Sequence, residues 1–137
     1  MSFVARNDGE FYSNFRTQIL GNEGAVATVY QPNDHVPTIG YGYTFIRLGQ
    51  VWGLYENLDA DLAAIGRTLT AQQRDTLNQI VQARNNNQTA LADTLISQFS
   101  TQFGLITITP GGNADTLFQR EVDQQAIYVR NQFRAVL

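Results

Sequence analysis

Glu23 and Thr38 stand fifteen residues apart, with Tyr30, Asp34 and His35, the single histidine, between them. Tyr41, Tyr43 and Thr44 follow in the glycine-punctuated run Thr-Ile-Gly-Tyr-Gly-Tyr-Thr. Two carboxyl groups, a hydroxyl and an imidazole make up an inventory for general acid–base chemistry on water. Glu23 falls where a helix with Phe11, Phe15 and Ile19 on one face would end, bracketed by Gly21 and Gly24. The negative end of a helix dipole raises a carboxyl pKa, the direction a proton donor needs. Each residue has an ordinary reading beside the chemical one. Glu23 suits a solvated helix end and Thr38 a strand. Asp34 suits a turn that bonds its own backbone, and His35 a solvated turn. Tyr41 and Tyr43 could stack on a ligand ring or pack a hairpin onto helices.

The elements that must carry these groups follow from the pattern around them. Asn7 or Asp8 caps the first helix. Val26, Thr28 and Tyr30 alternate as a strand, and Gln-Pro-Asn-Asp-His-Val-Pro is turn chemistry. Thr38 to Ile46 reads as a returning strand whose glycines mark a close approach or a bulge. Beyond Trp52 the chain reads as helical, beginning with a short helix through Leu58, Leu62 and Ile65. Thr70 and Gln73 form a capping box before Leu77, Ile80 and Val81. Asn87 is expected to cap a helix bearing Leu91, Leu95, Phe99 and Phe103 on one face. The run Gly-Leu-Ile-Thr-Ile-Thr-Pro-Gly-Gly-Asn is an extended link to a last helix opening at Asn113 or Ala114. Phe118, Val122, Val129, Phe133 and Val136 form its apolar stripe. The expected class is α+β, mainly helical: a small hairpin lobe, a helical bundle and a cleft between them.

Composition narrows the function classes. A chain of 137 residues, 43% hydrophobic, makes one domain, residues 1–137, with a sizeable core. No signal peptide is recognisable at the start, and no apolar run reaches the roughly 20 residues that span a bilayer. Without cysteine there are no disulfides or thiolate metal sites, and a single histidine argues against a transition-metal centre. A net charge of −3 argues against nucleic acid as a partner. All nine basic residues are Arg, and the surface is rich in Asn and Gln. That mixture suits stacking and hydrogen bonding to sugars, and it equally suits a surface drifting under little constraint. The sequence stops at Asn-Gln-Phe-Arg-Ala-Val-Leu, still within its apolar period, as a domain cut from a longer protein would.

Glu-Gly, then Val-Tyr, then Thr-Ile-Gly-Tyr-Gly at this spacing resembles the phage-type lysozymes, glycoside hydrolase family 24, and their pesticin-type bacteriocin relatives. The resemblance covers roughly Leu20 to Thr44, with a fainter echo in Leu-Thr-Ala-Gln-Gln-Arg-Asp-Thr-Leu. It implies a lysozyme-like fold and a muramidase that cleaves the β-1,4 bond between N-acetylmuramic acid and N-acetylglucosamine with inversion and without a cofactor. Glu23 then corresponds to the general acid, Thr38 to the residue that holds the attacking water, and Tyr30 to a Tyr common in the family.

The pattern departs in the middle. The family's second carboxylate, nine residues after the Glu, falls on Pro32. The pesticin-type alternative, six after the Thr, falls on Thr44, and the family's His falls on Tyr43. Asp34 is the nearest substitute. Tyr30, His35, Tyr41, Tyr43 and Thr44 are the expected substrate contacts, and Arg47 is a possible partner for a peptide-stem carboxylate. A lytic transglycosylase using Glu23 alone is the second reading, and a non-catalytic peptidoglycan-binding module the third. A purely structural or inhibitor domain has only the bland composition behind it. The expected setting is the periplasm or cell wall of a target bacterium, reached through a secretion machine, a phage tail or a holin. An antibacterial toxin of this kind would act as a monomer, without membrane insertion, and would require an immunity or inhibitor protein.

Overall fold

The computed structural model describes residues 24–136, with side chains described through residue 127. The helix expected over Phe11, Phe15 and Ile19, Glu23 itself, and the side chains of Val129, Phe133 and Val136 lie outside the described residues. Among the described residues the fold is α+β, with four helices and two small antiparallel sheets.

The first sheet holds β1 (Val26–Tyr30), β2 (Thr38–Gly40) and β3 (Tyr43–Thr44), in that order. Val26 faces Gly40 and Tyr30 faces Thr38, so β1 spends two extra residues over the same span and bulges. The expected single strand from Thr38 to Ile46 is broken by its glycines. Gly40 (φ 66°) and Gly42 (φ 86°) take left-handed backbone, so the chain reverses at Tyr41 and pairs Ile39 with Tyr43. A Cβ at Gly40 would meet the Ala114 Cβ of the last helix at an ordinary contact distance of 3.5 Å, so the backbone angle rather than space favours glycine here.

A second hairpin, absent from the sequence reading, follows at once: β4 (Ile46–Leu48) and β5 (Trp52–Leu54). Asn85 clasps it, accepting from the Trp52 N–H at 2.8 Å and donating to the Trp52 carbonyl at 3.2 Å. Between the sheets Phe45 is fully buried, edge-on to Phe99 at 5.1 Å and Phe103 at 5.3 Å. This aromatic knot is where sheet and helices meet.

The helices are α1 (Leu58–Ala64), α2 (Ala71–Asn85), α3 (Thr89–Phe103) and α4 (Asn113–Val136). The capping box forms as expected: the Gln73 N–H donates to Thr70 Oγ1 at 3.1 Å and the Thr70 N–H to Gln73 Oε1 at 2.8 Å. Asn87 does not cap α3. It lies at φ 58°, a left-handed position that Asn tolerates, just beyond the end of α2, and Gln88 takes the cap position without a side-chain bond. Leu95, Phe99 and Phe103 form the inner face of α3, whereas Leu91 is 46% exposed. The link after Gly104 is extended, with the Ile106 N–H donating to the Ala27 carbonyl at 2.9 Å, which docks it on β1. None of the described helices is long and apolar enough to cross a membrane.

Candidate functional site

The bulge in β1 and the Gly40–Tyr41–Gly42 turn leave a groove of about 360 Å³ between them. Gly24, Val26, Tyr30 and Pro32 line one wall, and Gly40, Tyr41 and Gly42 the other. The small residues keep the wall low, and the half-buried Tyr30 and Tyr41 give it aromatic surface. Tyr41 packs edge-on to Phe118 of α4 at 5.8 Å, which fixes its ring against the helical side. Tyr30 and Tyr41 therefore stand on the groove, whereas Glu23, one residue before its Gly24 wall, lies outside the described residues.

Thr38 is 3% exposed, and its hydroxyl donates to the Val36 carbonyl at 2.9 Å. Thr44 faces it across the β2–β3 pair and is half-buried. Tyr43 is also buried, so its ring packs the hairpin onto the core rather than offering a stacking face. It meets Phe45 and Tyr55 edge-on, and its hydroxyl donates to Asp61 Oδ2 at 2.7 Å. Burial first, and the Asp61 carboxylate second, push the Tyr43 phenol far above its ordinary range, so it remains a donor. Arg120 Nε reaches the other oxygen of Asp61 at 2.6 Å. This fully buried carboxylate thus ties β3 to α1 and α4.

Pro32 to His35 form a β-turn, closed by the His35 N–H donating to the Pro32 carbonyl at 3.0 Å. Asp34 lies inside that turn, exposed, and makes no hydrogen bond to another described residue. His35 ends the turn at φ 59°, an uncommon conformation for a residue with a side chain. Its Nδ1 lies 2.7 Å from Asp93 Oδ1 on α3, and the two side chains remain 36% and 27% exposed. With its amide turned to satisfy its own hydrogen bonding, Gln31 donates to Asp93 Oδ1, the oxygen that His35 also meets, and to Asp93 Oδ2 at 3.2 Å.

Arg47 is engaged as well. It pairs with Glu121 at 2.7 Å and lies over the Tyr55 ring at 3.5 Å. Its position is therefore fixed by protein partners. Among the described residues no group of three or more His, Asp or Glu side chains is arranged to hold a metal ion.

Asp61, Asp93 and Arg120 have no counterpart in the sequence reading. Asp93 sits in an unremarkable helical stretch, 58 residues from the histidine it holds, and Arg120 lies 59 residues from Asp61. No local spacing announces either pair. The nearest clue to the first is the histidine itself, since a turn histidine gains a defined orientation only from a partner elsewhere. Comparison with protein families, with curated proteins and with solved structures gives no match for this chain.

Proposed function

We propose that this chain is a lysozyme-like peptidoglycan hydrolase, a muramidase acting on the β-1,4 bond between N-acetylmuramic acid and N-acetylglucosamine. The observation that carries the reading is a coincidence of motif and groove. Tyr30, Pro32 and the Gly-Tyr-Gly turn belong to the segment that resembles phage-type lysozymes, and these same residues line the groove next to Gly24. A glycan strand needs an open, shallow cleft with aromatic surface and a carboxylic acid beside it. Glu23, immediately before that wall in sequence, protonates the leaving oxygen. The polar turn from Pro32 to His35, which carries Asp34, receives the water, because Thr38 is buried and its hydroxyl is taken by the Val36 carbonyl. The small sheet and the helices then correspond to the two lobes of a lysozyme-like fold.

The proposed site of action is the bacterial wall, with the protein delivered to it as a toxin or phage lysin. An immunity protein would block the same groove. The direct test is incubation of purified sacculi with the chain and with Glu23→Gln. Soluble muropeptides are expected from the first and about 10²- to 10⁴-fold slower release from the second, the usual worth of a general acid. One observation favours a second reading. Pro32 occupies the family's carboxylate position on the groove wall and cannot ionise. A lytic transglycosylase resting on Glu23 alone would release 1,6-anhydro ends instead of reducing ends. Binding to sacculi with no release would identify a non-catalytic wall-binding module.

A further inference from the structure

The turn of the β4–β5 hairpin carries apolar side chains into solvent. Leu48 is 61% exposed and Val51 66%, on either side of Gly49 and Gln50. Leu48 stands directly opposite Trp52 in the ladder, so their side chains share one face of the hairpin. Arg84, in the last turn of α2, lies over the Trp52 ring at 4.7 Å. We propose that this hairpin tip, with Trp52 and Arg84 at its base, docks the protein on the surface of a bilayer that contains anionic phospholipid. No groove residue takes part, so the contact is independent of the muramidase reading.

The charge of the patch selects the occupant. Every other arginine among the described side chains has an acceptor: Arg47 has Glu121, Arg67 the Phe103 carbonyl, Arg74 Asp59, and Arg120 Asp61. Arg84 has none among the described residues, and its Nε is enclosed without a hydrogen bond. Its guanidinium is thus held by an aromatic face rather than by a counter-charge, which leaves its terminal N–H groups for an outside anion. No Asp or Glu occurs from Ile46 to Tyr55 or from Arg84 to Ala92; acids resume at Glu56 and Asp93. On a chain of net charge −3, this end is apolar and cationic.

Shape points to the same occupant. A small solute needs a concave pocket, whereas a projecting tip suits a soft interface it can enter. Asn85 holds both backbone groups of Trp52, at 2.8 Å and 3.2 Å, so the base of the hairpin is braced on α2 while Leu48 and Val51 stand clear. Aliphatic side chains at the tip, a Trp ring behind them and an Arg at headgroup level match the layering of a bilayer interface. No described helix is long and apolar enough to cross a membrane, so the contact is adsorption at headgroup depth. One free cation and two aliphatic side chains give weak, reversible binding that grows with anionic lipid and fades with salt.

The test uses the full chain and sucrose-loaded vesicles of phosphatidylcholine, with and without phosphatidylglycerol. Trp52 is the only tryptophan in the chain, so its emission reports on the patch itself. The expected results are co-sedimentation with the anionic vesicles at low salt, a blue shift of the emission, and quenching by lipids brominated in the upper acyl chain. All three should fade as salt is raised. Leu48→Ser combined with Val51→Ser should weaken partition at least about tenfold, through lost apolar burial. Arg84→Gln should weaken it about fivefold on anionic vesicles and leave binding to pure phosphatidylcholine unchanged. Arg84→Lys keeps the charge and should stay close to the parent. Arg74→Gln removes an arginine already paired with Asp59 and should have no effect.

The tip substitutions replace exposed side chains, and circular dichroism with the urea midpoint checks that each variant keeps the fold. Absence of partition onto anionic vesicles overturns the proposal. So does partition that survives the double substitution in a folded chain, or that falls equally with Arg74→Gln and Arg84→Gln. If the double variant binds vesicles as the parent does but binds purified sacculi less, the face belongs to the wall polymer and the lipid assignment is wrong.

Discussion

At the scale of single residues, Asp61 sets the clearest physical demand. It has no exposure, and its two oxygens are held by the Tyr43 hydroxyl at 2.7 Å and Arg120 Nε at 2.6 Å. Removing one donor leaves a buried acceptor short of a partner, which costs about 1–3 kcal/mol. Tyr43→Phe should lower stability by that amount in urea unfolding at neutral pH. The same bond predicts an alkaline signature. Tyr43 in the fold titrates far above the ordinary tyrosine value of 10.0. Above that value the unfolded chain has already lost a proton that the folded chain keeps. Its contribution is thus fully present below the unfolded value and declines as pH rises past it. Tyr43→Phe should unfold with a shallower alkaline loss than the parent; an identical slope would show that the phenol does not contribute. Little of this was legible in the sequence. The sequence left Tyr43 between stacking on a ligand and packing the hairpin onto helices, because the buried carboxylate that claims its hydroxyl lies on another element, 18 residues on.

Elements were readable where the cause is local. The capping box at Thr70 and Gln73 involves two residues three apart, and their bonds form as the pattern predicts. The opening of α4 at Asn113 and the extended link before it are equally local. The β4–β5 hairpin escaped notice because its strands are three residues each and its loop, Gly49 to Val51, lacks an Asn-Gly signal. The Thr38 to Ile46 run was read as one strand because left-handed backbone at a glycine is permitted by sequence but not announced by it. This gives a paired prediction for thermal or urea unfolding. Gly40→Ala should cost about 1–2 kcal/mol for the left-handed residue. Thr70→Ala should cost about 0.5–2 kcal/mol as a lost cap, without altering the groove. Gly40→Ala should also slow muropeptide release, since it disturbs the turn that forms one groove wall, whereas Thr70→Ala should leave release unchanged.

For the whole molecule, the motif marked one stretch of chain, and the fold gathers part of it around one groove. Tyr30 and Tyr41 stand on that groove, Tyr43 and Thr38 belong to the packed interior, and Asp34 projects from an exposed turn. Spacing along a strand and turn could carry that much. It could not reveal that α3 brings Asp93 to His35, because that meeting depends on how the sheet and helices pack around Phe45. The measurement that most directly tests the function is digestion of purified sacculi in heavy-oxygen water, followed by mass spectrometry of the released fragments. The account predicts muropeptides with reducing muramic ends carrying one solvent-derived heavy oxygen, formed first as the inverted anomer. Fragments ending in 1,6-anhydro sugar with no solvent oxygen, or no released fragments at all, would contradict it.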